Sequence, residues 1–149
     1  MVYRIGISNI LPDGQGWAQL EFPGGIEKVK HVAIAQNGLW IINEEGNVRY
    51  GRLYRDDTTG RAEVSLIPNI GEKKMSKIVS DSYGNIWGLT PDNSVHVRKG
   101  ISFTNPTGKS WKLVAGVKGT NIFPSHFGVF VKMIDGRLIQ SLCKYLLSS

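Results

Sequence analysis

His31, His96 and His126 are the side chains most capable of acid–base or metal chemistry near neutral pH, and they are scattered along the chain. They fall in different segments at non-equivalent positions, so no pair has the spacing that holds a metal on one helix or hairpin. Cys143 is the only cysteine, which removes disulfide frameworks and thiolate zinc sites alike. Gly108-Lys109-Ser110 has the ending of a phosphate-binding loop, but Phe103 stands where that loop needs its first glycine, and Pro106 opposes a following helix. No Gly-x-Ser-x-Gly elbow occurs, and no motif sets a serine beside a histidine and a carboxylate. The chain therefore reads as a binder and not an enzyme, with no metal and no cofactor.

Charge offers a second kind of chemistry. Lys and Arg number 18 against 12 Asp and Glu, and the whole excess lies in the second half, where residues 76–149 hold nine basic and three acidic side chains. No acid occurs between Asp92 and Asp135. One implication is a face that meets phosphate, sulfate or anionic lipid, with Lys99, Lys109, Lys112 and Lys118 as its candidate residues; the other is an ordinary solvated surface. Basic residues interleaved with aromatics could also suit single-stranded nucleic acid. The aromatics recur at fixed positions, however, which assigns them to packing and leaves nucleic acid out of the expected partners.

Those fixed positions are set by an internal repeat. Arg4 to Trp17 aligns without a gap on Arg98 to Trp111, and seven of fourteen positions agree. The offset is 94 residues, twice the 47 that separate Trp40 from Trp87. A worn middle copy follows, with Arg49 and Gly51 read at the positions of Arg98 and Gly100, and Glu63 in place of the tryptophan. Gly38-Leu39-Trp40-Ile41, Asn85-Ile86-Trp87-Gly88 and Gly128-Val129-Phe130-Val131 mark the same strand in successive units.

Each unit contains four short strands: 17–20, 29–35, 38–43 and 48–54; then 64–67, 77–81, 85–89 and 95–102; then 111–114, 121–124, 128–133 and 137–142. Turns at Glu44–Asn47, Pro91–Ser94 and Ile134–Gly136 carry Gly, Asn and Asp, which tolerate left-handed backbone. Four strands in 40–50 residues is the pattern of a β-propeller blade. The fold class is thus all-β, with about three four-stranded antiparallel blades at 17–55, 63–102 and 111–142. Residues 1–8 form the orphan last strand of a preceding blade and 143–149 a tail. Trp40, Trp87 and Phe130 are expected to be plates between adjacent sheets.

Asn85-Ile86-Trp87-Gly88, Val95-His96-Val97-Arg98-Lys99-Gly100-Ile101-Ser102 and Asn105-Pro106-Thr107-Gly108-Lys109-Ser110-Trp111 closely resemble the tectonin β-propeller repeat, and the likeness extends at lower quality over residues 2–142. The resemblance implies a closed ring of about six blades. The missing blades would come from the same longer chain or from a second copy in a homodimer. It also implies binding of a glycan, glycolipid or sphingolipid head group, or else a trafficking and autophagy scaffold that docks an anionic membrane or a protein. Under the first implication the candidate ligand residues are Arg4, Trp17, Arg98, Asn105 and Trp111, since sugar sites pair an aromatic plate with amide and guanidinium donors. The N-terminus lacks the basic-then-apolar layout of a signal peptide, so the expected location is cytoplasmic, or the chain is an internal piece of something longer.

Overall fold

The computed structural model describes residues 2–5, 16–20, 28–35, 38–55, 62–67, 70, 73–126 and 128–141, with the backbone alone for 2–5, 16–19, 53, 55 and 62–67. These hold β1 (Val2–Ile5), β2 (Gly16–Gln19), β3 (Val29–Ala35), β4 (Gly38–Asn43), β5 (Val48–Arg55), β6 (Ala62–Ile67), β7 (Lys77–Ser80), β8 (Ile86–Leu89), β9 (Ser94–Lys99), β10 (Ser110–Ser125), β11 (Gly128–Met133) and β12 (Leu138–Gln140). All pairings are antiparallel and join neighbours in sequence: β1 with β2, β3 through β6 as four strands, and β7 through β12 as six. Up-and-down sheets of this kind are β-propeller blades.

The expected strands form, but the sheets are framed one strand later than the sequence units. The first strand of each unit hydrogen-bonds to the last strand of the unit before it, as β2 does to β1, β6 to β5 and the start of β10 to β9. The units 17–55, 63–102 and 111–142 therefore do not coincide with the sheets, and the N-terminal strand Val2–Ile5 pairs along its length with Gly16–Gln19. The physical reason is the connection. Antiparallel pairing joins each strand to the one before it across connections as long as 100–109, and a repeat has no intrinsic start, whatever the phase in which it is counted.

A second difference is that two strands expected at 111–114 and 121–124 form one. β10 pairs through Ser110–Leu113 with β9 and through Asn121–Ser125 with β11, so it is the outer strand of one blade and the inner strand of the next. Between them Val114 to Val117 bulge out of the ladder, with Gly116 at φ 75°. The segment needs no separate loop.

Two cores lie between successive blades, the second of them inside the curled six-stranded sheet. Ala33, Trp40, Ile42, Val48 and Tyr50 of the β3–β6 sheet meet Met75, Ile78 and Ile86 of the next, with Trp111 packed against them. Val79, Leu89 and Val95 then meet Ile122, Val129 and Val131, with Trp87 alongside. Trp40 is 1% exposed, with Tyr50 edge-on at 5.4 Å and Trp111 edge-on at 6.4 Å. Gly88 makes room for this cluster, because a Cβ there would lie 2.7 Å from the Met75 sulfur and 3.2 Å from the Trp111 ring. Trp40 and Trp87 thus hold equivalent places in successive gaps. Phe130 sits between Val129 and Val131 on β11 and so turns its half-buried ring to the opposite face.

The three hairpins at the other end of the blades repeat in atomic detail. Gly46 donates to Asn43 O, Asn93 to Thr90 O and Gly136 to Met133 O, at 2.9, 2.9 and 3.0 Å. Each donor has left-handed backbone, Asn93 at φ 67°.

Trp40→Ala empties the centre of the first core, and urea titration should show a loss of about 3–5 kcal/mol, the range for a large buried aromatic. Trp87→Ala should cost somewhat less, since its indole is only partly enclosed.

Candidate functional site

In an up-and-down sheet, alternate connections emerge at the same end. The β7–β8 hairpin at 81–85 and the β9–β10 connection at 100–109 therefore share one end of their blade, beside Ala35 at the end of β3 in the neighbouring sheet. Between them opens a cleft of about 130 Å³, lined mainly by Trp40, Tyr50, Tyr83, Ile101 and Pro106, with Phe103 at the rim. Tyr83 is 47% exposed and Phe103 88%. Gly38 lets Tyr50 reach this place, since a Cβ on it would come 2.7 Å from the Tyr50 hydroxyl. Burial pushes the Tyr50 phenol above its ordinary pKa, against the smaller opposing effect of Arg52.

Asp81 builds the near wall. Its carboxylate is buried and accepts from the backbone N–H of Tyr83 and of Asn85, from the Asn85 amide and from Trp87 Nε1, at 2.9, 2.9, 2.9 and 3.0 Å. One side chain therefore shapes the hairpin that presents Tyr83 and orients the Trp87 plate. Sequence reasoning missed it. The available signal was the spacing Asp81, Tyr83, Asn85, Trp87, which brings four donors round a turn to one acceptor.

The far wall is the 100–109 connection. Ser102 and Asn105 exchange backbone hydrogen bonds at 3.0 and 3.2 Å, Gly108 donates to Asn105 O at 3.1 Å, and Lys109 donates to Lys99 O at 2.7 Å. The Asn105 amide reaches Gly100 O at 3.4 Å and accepts from the Thr107 hydroxyl at 3.3 Å. Beneath the loop, Arg98 Nε donates to Thr107 O at 2.8 Å, and its guanidinium lies 5.4 Å from the centre of the Trp111 ring.

The expected ligand residues Arg98, Asn105 and Trp111 are thus brought together, as the frame of a loop and the floor behind a cleft. Arg98 is 7% exposed and Trp111 Nε1 is buried. Arg4 and Trp17 are paired across β1 and β2 as Arg98 and Trp111 are across β9 and β10; their side chains lie outside the described residues. The middle copy is different. Trp40 opposes Tyr50 as Trp87 opposes Val97, so Arg49 stands at the position of His96, and Gly51 with Leu66 takes the place of the Arg–Trp pair. Matching Arg49 to Arg98 was two residues out of register.

The four lysines do not share a face. Lys99 and Lys109 flank the loop at the cleft end, and Lys112 is exposed on β10. Lys118 lies at the other end of β9, where its ammonium meets Ser94 Oγ at 3.0 Å, Asp92 O at 3.2 Å and the Asp92 carboxylate at 3.6 Å. Hydrogen bonds from Thr90 and from the backbone of Ser94 hold Asp92 down to about 2, with Lys118 adding to them. A stretch without acids in the sequence is not a surface without acids.

A more open cleft of about 450 Å³ lies nearer the inner strands, lined by Ile34, Ser80, Asp81, Ser82, Pro124 and His126 among others. Among the described residues no three His, Cys, Asp or Glu side chains are grouped to hold a metal ion. His31 lies on β3, where Nε2 donates to Ile78 O at 2.8 Å across the sheets, and His96 is 5% exposed with Nδ1 unpaired.

The family model of the Tectonin domain matches residues 27–130, which include both walls of the aromatic cleft. The chain belongs to the tectonin-domain family. Among solved structures it resembles a β-propeller described as "YCF48 bound to D1 peptide", with a TM-score of 0.54 and 14% sequence identity over 84% of this chain. This chain spans 40% of that chain's length. Likeness at such low identity concerns the fold alone. No curated protein matches.

Both histidines bear on stability. Burial lowers the pKa of His31 and of His96, with Lys77 and Lys73 respectively adding a smaller push. The unfolded chain therefore takes up protons near pH 6.5 that the folded chain refuses, so stability falls as pH drops below that value. Urea midpoints at pH 7.5 and 5.5 should show the loss, and His96→Gln should flatten it.

Proposed function

We propose that this chain is a non-catalytic binding module that recognises carbohydrate in the cleft between Tyr83 and the 100–109 loop. The observation that carries this reading is the cleft's composition, with Tyr83 exposed beside Ser102 at a small opening and Trp40 and Tyr50 buried at its base. Sugars offer a ring with an apolar face and a fringe of hydroxyls. Aromatic plates cover the first, and hydroxyls or backbone groups satisfy the second.

Arg98, Asn105 and Trp111 serve this site by holding its shape. The loop is closed by its own hydrogen bonds and by Arg98 from below, so little conformational entropy is lost when a ligand docks. A preformed site of this kind suits weak, repeated recognition, and further copies on other blades would add through multivalency.

The test is a glycan array read with the wild-type protein and with Tyr83→Ala. The expected result is binding that Tyr83→Ala abolishes, with stability unchanged within about 0.5 kcal/mol, as befits a side chain half in solvent. Binding should also persist at high salt and in the triple variant Lys99→Glu, Lys109→Glu and Lys112→Glu, because stacking and neutral hydrogen bonds supply it. An array that binds nothing overturns the reading.

A further inference from the structure

Phe103 is the most exposed of the large apolar side chains in the described residues, at 88%. It stands at the tip of a loop that is rigid rather than frayed. The Ser102 hydroxyl accepts from Asn105 N at 3.1 Å and meets the Thr104 hydroxyl at 3.3 Å, inside the backbone bonds already described. Gly100 and Gly108 turn the chain with φ 79° and 68°, and an added Cβ at Gly108 would strike Lys99 O at 2.6 Å. An apolar ring is thus held out in water by a built scaffold.

The flanks of the loop are basic. Lys99 and Lys109 stand at its two ends and Lys112 follows on β10, all exposed, and no described acidic side chain forms an ion pair with them. From Gly100 to Ser110 the loop itself contains no acid. A protruding ring between two cations is convex, so a rigid partner would need a matching pocket. A lipid surface needs none, because acyl chains part round one aromatic ring while ammonium groups meet the phosphates.

We propose that the 99–109 loop docks on an anionic membrane, with Phe103 inserted at the interface and Lys99 and Lys109 on the lipid phosphates. The inference goes beyond carbohydrate recognition: Phe103 lines the rim of the same cleft, but the contact with lipid needs no sugar bound there. It points the cleft end of the blades towards the bilayer, so a sugar bound there would be one carried on a lipid.

The experiment uses vesicles that carry no sugar, so its failure is distinct from failure of the carbohydrate reading. Co-sedimentation with vesicles of phosphatidylcholine, with and without about one-third phosphatidylserine, should show binding only when the anionic lipid is present and loss of it at high salt. Phe103→Ser should weaken that binding roughly tenfold, and the pair Lys99→Gln and Lys109→Gln should weaken it by a similar or larger factor. These positions are exposed, and an unchanged melting temperature confirms that the variants fold. Phe103→Trp should gain fluorescence quenching by brominated lipid beyond that of the wild type, which reports insertion directly. Equal binding to neutral vesicles, no binding at all, or a Phe103→Ser variant that binds as the wild type does would each overturn the proposal. Loss of binding in the lysine variants alone, without quenching of Phe103→Trp, would reduce the contact to adsorption by charge and overturn it equally.

Discussion

Trp40 has sheet on both sides of it, and the room it occupies is made by several other residues at once. Tyr50 meets one edge and Trp111 another, and Gly88 forgoes a side chain so that Met75 and Trp111 can close over the gap. A four-stranded antiparallel sheet has two faces to cover and cannot cover them itself. A wide flat ring between twisted sheets answers that constraint, and the cleft opens above the same cluster at one end, where Tyr83 and Phe103 meet solvent. Trp40 and Tyr50 are at once the centre of the core and the wall of the site.

That dual use explains why the family's repeated residues are not themselves the exposed ones. Arg98, Asn105 and Trp111 are spaced by the needs of a strand end, a turn and a plate. What solvent meets is Tyr83 on the 81–85 hairpin and Ser102 and Phe103 on the 100–109 connection. Asp81 belongs to the first kind. Buried carboxylates are costly unless their oxygens are filled, and here four donors fill them.

The strands were legible because their periodicity and turn chemistry agree: β3, β4 and β11 have the bounds that alternation and the Gly and Asn turns indicate. The phase of the blades was not, because a repeat has no intrinsic beginning and only hydrogen-bond partners decide which four strands form a sheet. The break expected inside β10 was misleading too, since Gly116 marks a bulge as readily as a loop. At the site, composition drew attention to Arg, Trp and Lys. It could not show that Lys118 is answered by Asp92 across a turn, nor that Tyr83 and Phe103, twenty residues apart, meet at one opening, because those are facts of register.

β10 runs for 16 residues as part of two blades. In most repeat arrays each module meets its neighbour only through an interface, and the modules can open one at a time. A strand held in common removes that freedom. Pulling its first half out of the ladder with β9 drags on the half that pairs with β11, so the two blades should exchange their amide hydrogens as a single cooperative unit. The β3–β6 blade is tied to them by packing across the first core, with no strand in common, and can act as a separate one. The protein is thus divided for unfolding at a different place from where its repeats divide the sequence, and a gene duplication that copied one whole blade, instead of one sequence repeat, would have to cut through a shared strand.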